Sequence, residues 1–327
     1  MDSPRNILRT LKESKRILIP LHLRPDGDSI GSALASYHLF RNMGKKVVVA
    51  SADPLPEVLL FLPAAKRIKI VDPENLPLEN FDLVFLPDIS SPNLISSAGK
   101  LNFPAQTILV NVDHHKSNRN YGDLNYVIPK ASATAEIIYD LARAWKMPIP
   151  PEVADCLLTG IYTDTGGFLY PSTTADSLEK ASELIRGGAN RDAVAENSFR
   201  SWSPKAIKLW ALILANARIR KNVAYSQVPY SQLKTINYSQ SEFAGIRGFA
   251  VSNLLLSIKG VRAAALFTES KPRQIRVNLR SIGNLDISKI AEKWGGGGHS
   301  NSAVFDYRGP IKDIVPKTVK LLQGPIR

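Results

Sequence analysis

The sequence runs to 327 residues, more than one hydrophobic core ordinarily organises, so two domains are the expected arrangement. Its 42 Lys and Arg against 29 Asp and Glu leave a net charge of +13, which suits a polyanionic partner better than a cationic one, although a basic balance also serves plain solubility. The single cysteine, Cys156, excludes a disulfide framework and a thiolate metal cluster, and no apolar run approaches the length of a membrane span.

The N-terminal MDSPRNILRTLKESKR is amphipathic and contains acids, unlike a secretory signal, so a cytoplasmic protein is expected. Short β-branched runs then alternate with helical patterns. RILIPLHL, KKVVVAS, KRIKIV, FDLVFLPD and QTILVNVDHH read as strands, and Ser29 to Asn42 reads as a helix closed by Gly44 in a left-handed cap. The alternation predicts an α/β fold with a mostly parallel sheet flanked by helices. Further helices are predicted from Thr134 to Trp145, Pro151 to Asp164 and Thr174 to Arg186. The polar stretch 190–204, containing NSFRSWSP, reads as a linker between a first domain over 1–189 and a second over 205–327. Beyond it the pattern restarts with a helix from Pro204 to Ala217, strands near VAYSQVP, VRAAALFTE and QIRVNLRS, and a helix from Asp286 to Trp294. GGGGHS, the strand AVF and a terminal helix complete a smaller α/β domain.

Four of the five histidines stand in motif-like surroundings: His22 in HLRPDGDSIGS, His114 and His115 in VDHHKSN, and His299 after four glycines. The fifth, His38, lies mid-helix and reads as structural, as do Cys156, Trp202, Trp210 and Trp294. Lys116 and Arg119 stay open between phosphate contact and solvation. Asp26, Asp28, Asp88 and Asp113 each fall just past a predicted strand end, where open parallel sheets place their ligands. Asp26 and Asp28 alternate along an extended backbone and so can address two different ions. Taken alone, Asp28 reads equally well as an N-cap for the helix from Ser29, and a lone Asp88 more often starts a turn. Asp164, in GIYTDTGGF, ends an apolar helix, where its charge meets the negative helix pole unless a cation offsets it. Two histidines and four aspartates suffice for two ions sharing one carboxylate. Imidazole with carboxylate suits divalent transition ions such as Mn²⁺, and an ion pair about 3.5 to 4 Å apart suits phosphoryl transfer.

In order and context these residues resemble the DHH phosphoesterase superfamily. HLRPDGD matches its HxxxDxD opening, FLPD its lone strand-end aspartate, VDHH the triplet and GIYTDTGGF the fourth motif. GGGGHSNSAVF, preceded by QIRVNLRS, looks like the DHHA1 substrate-binding domain, and the resemblance covers nearly the whole chain. It implies that His22 and Asp26 hold one ion and that Asp28, His114 and Asp164 hold the other, with Asp88 bridging. His115 would then face the substrate phosphate while Asp113 orients the histidines. In the second domain the resemblance implies an anion clamp of Arg276 and Arg280 with Ser281 nearby. Gly296, Gly297, Gly298 and His299 are implied to approach a phosphate through backbone N–H groups and the imidazole. Without it, the arginines read as solvated and the glycines as a flexible turn. Gly167 stands where many relatives carry Arg, and Ser300 to Ala303 replace the small residues and glycine that often follow GGGH. Both departures bear on substrate preference rather than on the metals.

The function so implied is that of the NrnA-like branch: a two-metal phosphoesterase, Mn²⁺-dependent, that trims short RNA oligonucleotides to mononucleotides and acts on 3′-phosphoadenosine-5′-phosphate. Hydrolysis of cyclic or linear dinucleotides comes second, and RecJ-like exonuclease action on longer strands third. A silent nucleotide receptor comes last, since a receptor need not keep six metal donors. The expected partners are short RNA or small nucleotides, with no membrane involved and a homo-oligomer left open.

Overall fold

The computed structural model describes residues 2–237 and 248–324, apart from the side chains of Ser252 and His299. They divide into two compact units, with the boundary between residues 201 and 202. In the first unit, α1 (Pro4–Glu13) precedes a six-stranded sheet of β1 (Arg16–Pro20), β2 (Lys46–Ser51), β3 (Lys69–Ile70), β4 (Leu83–Pro87), β5 (Ile108–Asp113) and β6 (Leu124–Val127). Every pairing is parallel, in the order β3-β2-β1-β4-β5-β6. β4, LVFLP, is buried along its whole length, as a parallel strand covered on two faces must be. On one face Ile17, Ile19 and Phe85 pack against α2 (Gly27–Asn42), α3 (Thr134–Ala144) and α4 (Pro151–Asp164). On the other, Leu18, Val84 and Leu86 meet loop residues such as Ile89, Ile95 and Leu101. α5 (Ala175–Arg186) and α6 (Arg191–Phe199) complete the unit.

Two glycines set how closely the helices approach. A Cβ on Gly31 would lie 2.4 Å from the Cys156 carbonyl oxygen of α4, and one on Gly160 would lie 2.5 Å from the Ala135 Cβ and 2.7 Å from Asp28 Oδ1. Their bare backbones let α2, α3 and α4 converge, which brings Asp28 and Asp164 to one place.

Several elements differ from expectation. α2 begins at Gly27, and its N-cap is Asp26, whose Oδ1 accepts the Asp28 and Ser29 amides at 3.1 and 3.0 Å, so the alternative of Asp28 as the cap is corrected. KRIKIV keeps only two exposed strand residues after a short 3₁₀ turn. β6 was not anticipated because LNYV is half-buried throughout and lacks alternation. The stretch 190–204, expected as a linker, contains α6, whose polar sequence hides a buried Val194 and Ala195.

The second unit comprises α7 (Pro204–Ala215), β7 (Arg218–Arg220), β8 (Val223–Val228), α8 (Tyr230–Thr235), β9 (Ala263–Lys271), β10 (Gln274–Ser281), α9 (Ser288–Glu292), β11 (Gly297–His299), β12 (Ser302–Arg308) and α10 (Ile311–Leu322). Its sheet runs β11-β12-β10-β9-β8-β7, with β8 and β9 parallel and the other neighbours antiparallel. Phe267, Val277 and Phe305 pack on one face against Ile314 and Val319 of α10, while Ala224 and Leu266 pack on the other against Leu209 and Ile213 of α7. Among the described residues no helix is long and apolar enough to cross a membrane.

Candidate metal centre

The strand order of the first sheet reverses between β1 and β4, and a crevice outside the carboxyl ends of strands at such a reversal is where open α/β sheets bind ligands. His22 follows β1, Asp26 and Asp28 open α2, Asp88 follows β4, His114 follows β5, and Asp164 is the last residue of α4. Their side chains converge. His22 Nε2 lies 3.8 Å from Asp26 Oδ1 and 3.6 Å from Asp88 Oδ2. His114 Nε2 lies 3.7 Å from Asp88 Oδ1, 3.5 Å from Asp164 Oδ2 and 4.0 Å from Asp28 Oδ2. Three donor groups result, His22–Asp26–Asp88, Asp28–His114–Asp164 and Asp88–His114–His115, and Asp88 turns one oxygen to His22 and the other to His114. These separations are too long for hydrogen bonds. Two donors each about 2.0–2.2 Å from one cation stand no more than about 4.4 Å apart, so the spacing fits a shared ion.

The surrounding residues orient the donors. His22 Nδ1 is 2.9 Å from the Leu23 carbonyl oxygen and His114 Nδ1 is 3.3 Å from that of Ala131. A neutral ring that donates from Nδ1 turns the Nε2 lone pair toward the carboxylates. Asp28, buried, accepts the Thr134 amide at 2.6 Å, the Ala135 amide at 2.9 Å and the Ser32 hydroxyl at 3.1 Å. It thereby satisfies the N-terminus of α3, whose own N-cap residue Ala133 offers no side-chain acceptor, and its charge meets the positive helix pole. Asp88, also buried, has φ +60°, a left-handed conformation that costs a non-glycine residue about 1 kcal/mol or more. Its Oδ1 accepts the Thr134 hydroxyl at 3.1 Å.

Asp113 is fully buried and accepts the His114 and His115 amides at 2.8 and 3.2 Å, His115 Nδ1 at 2.7 Å and Asn118 Nδ2 at 2.6 Å. Asn118 also donates to Asn111 Oδ1 at 2.7 Å. His115 is thus oriented by Asp113, and its Nδ1 stands 3.5 Å from Asp88 Oδ1. Thr134, Asn118 and Asn111 went unnoticed in the sequence. The available signals were an asparagine inside the apolar strand ILVNVD and another three residues past the histidine pair.

The groups titrate against one another. Burial alone would lower the His114 pKa, but the carboxylates of Asp164, Asp88 and Asp28 outweigh it and push it up to about 9. His22 is raised in the same way, by Asp26 and Asp88 against the effect of burial. Burial and the charges of Asp26 and Asp88 push Asp164 up to about 7 despite His114, and Asp28 is raised by burial and by Asp88 and Asp164. Carboxylates that resist ionising beside one another are what a divalent cation stabilises. The donor chemistry, nitrogen with carboxylate oxygen, fits such ions.

The other expected site residues lie in the second unit. Arg276 and Arg280 are both on β10; Arg276 is paired with Asp306 of β12 at 2.7 Å, and Arg280 Nη1 donates to the Leu279 carbonyl oxygen at 2.9 Å. Ser281 is buried, its hydroxyl donating to the Leu285 carbonyl oxygen at 2.9 Å. Only the second half of the glycine run is strand: Gly295 lies in a turn, whereas Gly297 and Gly298 form β11 with the backbone of His299, paired with β12, and the side chain of His299 lies outside the described residues. The Gly296 amide already donates to the Ala291 carbonyl oxygen at 3.0 Å. Lys116 and Arg119 are exposed, Cys156 is buried in α4, and His38 Nε2 lies 3.3 Å from the Pro63 carbonyl oxygen.

A family model described as the DHH family, N-terminal domain, matches residues 16–161, and one described as the DHHA1 domain matches 221–320. The chain is 30% identical to the bifunctional oligoribonuclease and PAP phosphatase NrnA of Thermus thermophilus, over 90% of this chain and 84% of that protein. It is 32% identical to the probable bifunctional oligoribonuclease and PAP phosphatase NrnA of Streptococcus mutans, over 91% of this chain and 92% of that one. Among solved structures it is similar to an exopolyphosphatase-related protein from Bacteroides fragilis, with a TM-score of 0.89 and 25% identity over 98% of this chain and 95% of the other.

Proposed function

The chain belongs to the DHH family and carries a DHHA1 domain, and we propose that it is a two-metal phosphoesterase that hydrolyses very short oligoribonucleotides to nucleoside monophosphates and 3′-phosphoadenosine-5′-phosphate to AMP. The observation that carries this reading is Asp88, which turns one oxygen to His22 and the other to His114 from a strained backbone. A polyanionic substrate agrees with how charge is distributed. Residues 202–327 contain 20 Lys and Arg against 6 Asp and Glu, whereas residues 1–201 contain 22 against 23, so the second unit carries +14 and the first −1.

His22 and Asp26 would hold one ion, Asp28, His114 and Asp164 the other, and Asp88 both. Mn²⁺ is the preferred ion, because Mg²⁺ favours an oxygen and water shell while this centre offers two imidazoles. When bound, a pair of divalent cations supplies a nucleophile at neutral pH and neutralises charge on the phosphoryl oxygens. Asp113 holds His115 with its Nδ1 proton engaged, so that the imidazole can stabilise negative charge on the substrate phosphate. Thr134 steadies Asp88, and Arg280 contributes a guanidinium for a second phosphate contact.

The test is turnover by metal-stripped protein reloaded with Mn²⁺ or Mg²⁺, on di- to pentaribonucleotides, cyclic dinucleotides and 3′-phosphoadenosine-5′-phosphate. The expected result is turnover of the short linear RNAs and of the mononucleotide, faster with Mn²⁺. Turnover of cyclic dinucleotides alone, or of nothing, sinks the reading.

A further inference from the structure

We propose that Glu136 is a positioning residue for the metal centre: through Ser132, and neutralised by Lys180, it fixes the short segment 131–135 on which three of the six donors rest. The inference builds on the two-metal reading above. The Ala131 carbonyl oxygen lies 3.3 Å from His114 Nδ1, the Thr134 hydroxyl donates to Asp88, and the Thr134 and Ala135 amides donate to Asp28. Donors from three different elements, α2, the end of β4 and the end of β5, thus depend on five consecutive residues. An error in the position of that segment moves all three together.

Glu136 is what holds it. The residue is 4% exposed, and its Oε2 accepts both the Ser132 amide at 3.0 Å and the Ser132 hydroxyl at 2.7 Å. Ordinary helix capping does not account for this arrangement. In a capping box the acid at the third helical position reaches back to the amide of the N-cap itself. Glu136 occupies that third position, but it reaches one residue further, past the N-cap Ala133 to Ser132, the neighbour of Ala131. Its other oxygen accepts Lys180 Nζ of α5 at 3.0 Å, and Lys180 also donates to Asp140 at 2.7 Å. The ammonium compensates a carboxylate that would otherwise be costly to bury. Neither residue belongs to a donor set.

The measurement is Mn²⁺ affinity by calorimetric titration of the full chain, beside thermal unfolding of the metal-free protein. Glu136→Ala is expected to weaken Mn²⁺ binding by about 10–100-fold, the usual consequence of removing a group that orients metal ligands. Glu136→Gln keeps an oxygen for the Ser132 donors and loses the pairing with Lys180, so a smaller loss is expected. Thr174→Ala is the control: it removes the N-cap acceptor of α5, which receives the Ser177 amide at 3.0 Å, and it should destabilise the fold while leaving Mn²⁺ affinity at the wild-type value. Wild-type affinity in Glu136→Ala, or an equal loss in Thr174→Ala, overturns the positioning role alone. A wild-type chain that binds no Mn²⁺ overturns the metal centre as well.

Discussion

Asp28 of α2 accepts the Thr134 amide at the head of α3 at 2.6 Å, across 106 positions of sequence. The same carboxylate stands 4.0 Å from His114 Nε2, so one side chain closes a helix end and faces the candidate centre.

Thr134 can be dissected accordingly. Thr134→Val removes the hydroxyl on Asp88 and keeps the amide on Asp28, whereas Thr134→Pro removes both. Proline is tolerated at the first helical position, and Ala133 is already extended, with φ −155° and ψ 156°, as a residue before proline must be. Mn²⁺ affinity is expected to fall in the order wild type, Thr134→Val, Thr134→Pro, the last by about 10–100-fold. Equilibrium titration checks the order, and a Thr134→Pro protein with undiminished affinity would contradict it.

Metal-free stability should decline as pH rises. Asp164 is raised to about 7 from an ordinary carboxylate value, so between about pH 4 and 7 the folded chain binds more protons than the unfolded one. His114, raised to about 9, extends the same imbalance from about pH 6.5 to 9. Stability present at low pH is therefore lost through this window, and Asp164→Asn should flatten its lower half. Urea unfolding in EDTA at pH 5, 7 and 9 decides; a rise in stability across that range is the contrary result.

Asn118→Ala leaves Asp113 with one fewer donor and loosens the hold on His115 without removing any of the six residues proposed to hold the ions. A fall in kcat of about tenfold, about 1.4 kcal/mol in the barrier, is expected with Mn²⁺ stoichiometry unchanged. Steady-state kinetics beside metal analysis checks both halves, and loss of metal would assign Asn118 to the centre itself.

Arg280→Ala should raise KM for a dinucleotide and leave Mn²⁺ affinity alone, because a phosphate contact made equally before and during reaction is uniform binding. Equal KM in wild type and Arg280→Ala would remove Arg280 from the substrate site.

The residues that converge were legible in sequence because each is unusual in its setting: imidazoles beside acids at strand ends, and Asp164 at the wrong pole of a helix. What escaped are ordinary residues recruited by tertiary contacts. Thr134 and Glu136 look like any helix start, and only the fold shows that α3 lends its first amides to an aspartate of α2. Asp26 and Asp28 are both competent N-caps two residues apart, so local chemistry could not choose between them. Glycine content signals freedom, yet a Cβ on Gly296 would lie 2.2 Å from the Val304 carbonyl oxygen and one on Gly298 2.3 Å from that of Ser302. There the glycines permit close strand packing against β12.

Asp88 as the bridge between two ions is tested most directly by electron paramagnetic resonance of the protein loaded with two equivalents of Mn²⁺. Ions sharing one carboxylate lie about 3.5–4 Å apart, so the wild-type chain should give the spectrum of an exchange-coupled pair, and Asp88→Ala that of isolated ions. Isolated ions in the wild type, or a coupled pair that survives in Asp88→Ala, would contradict the bridge.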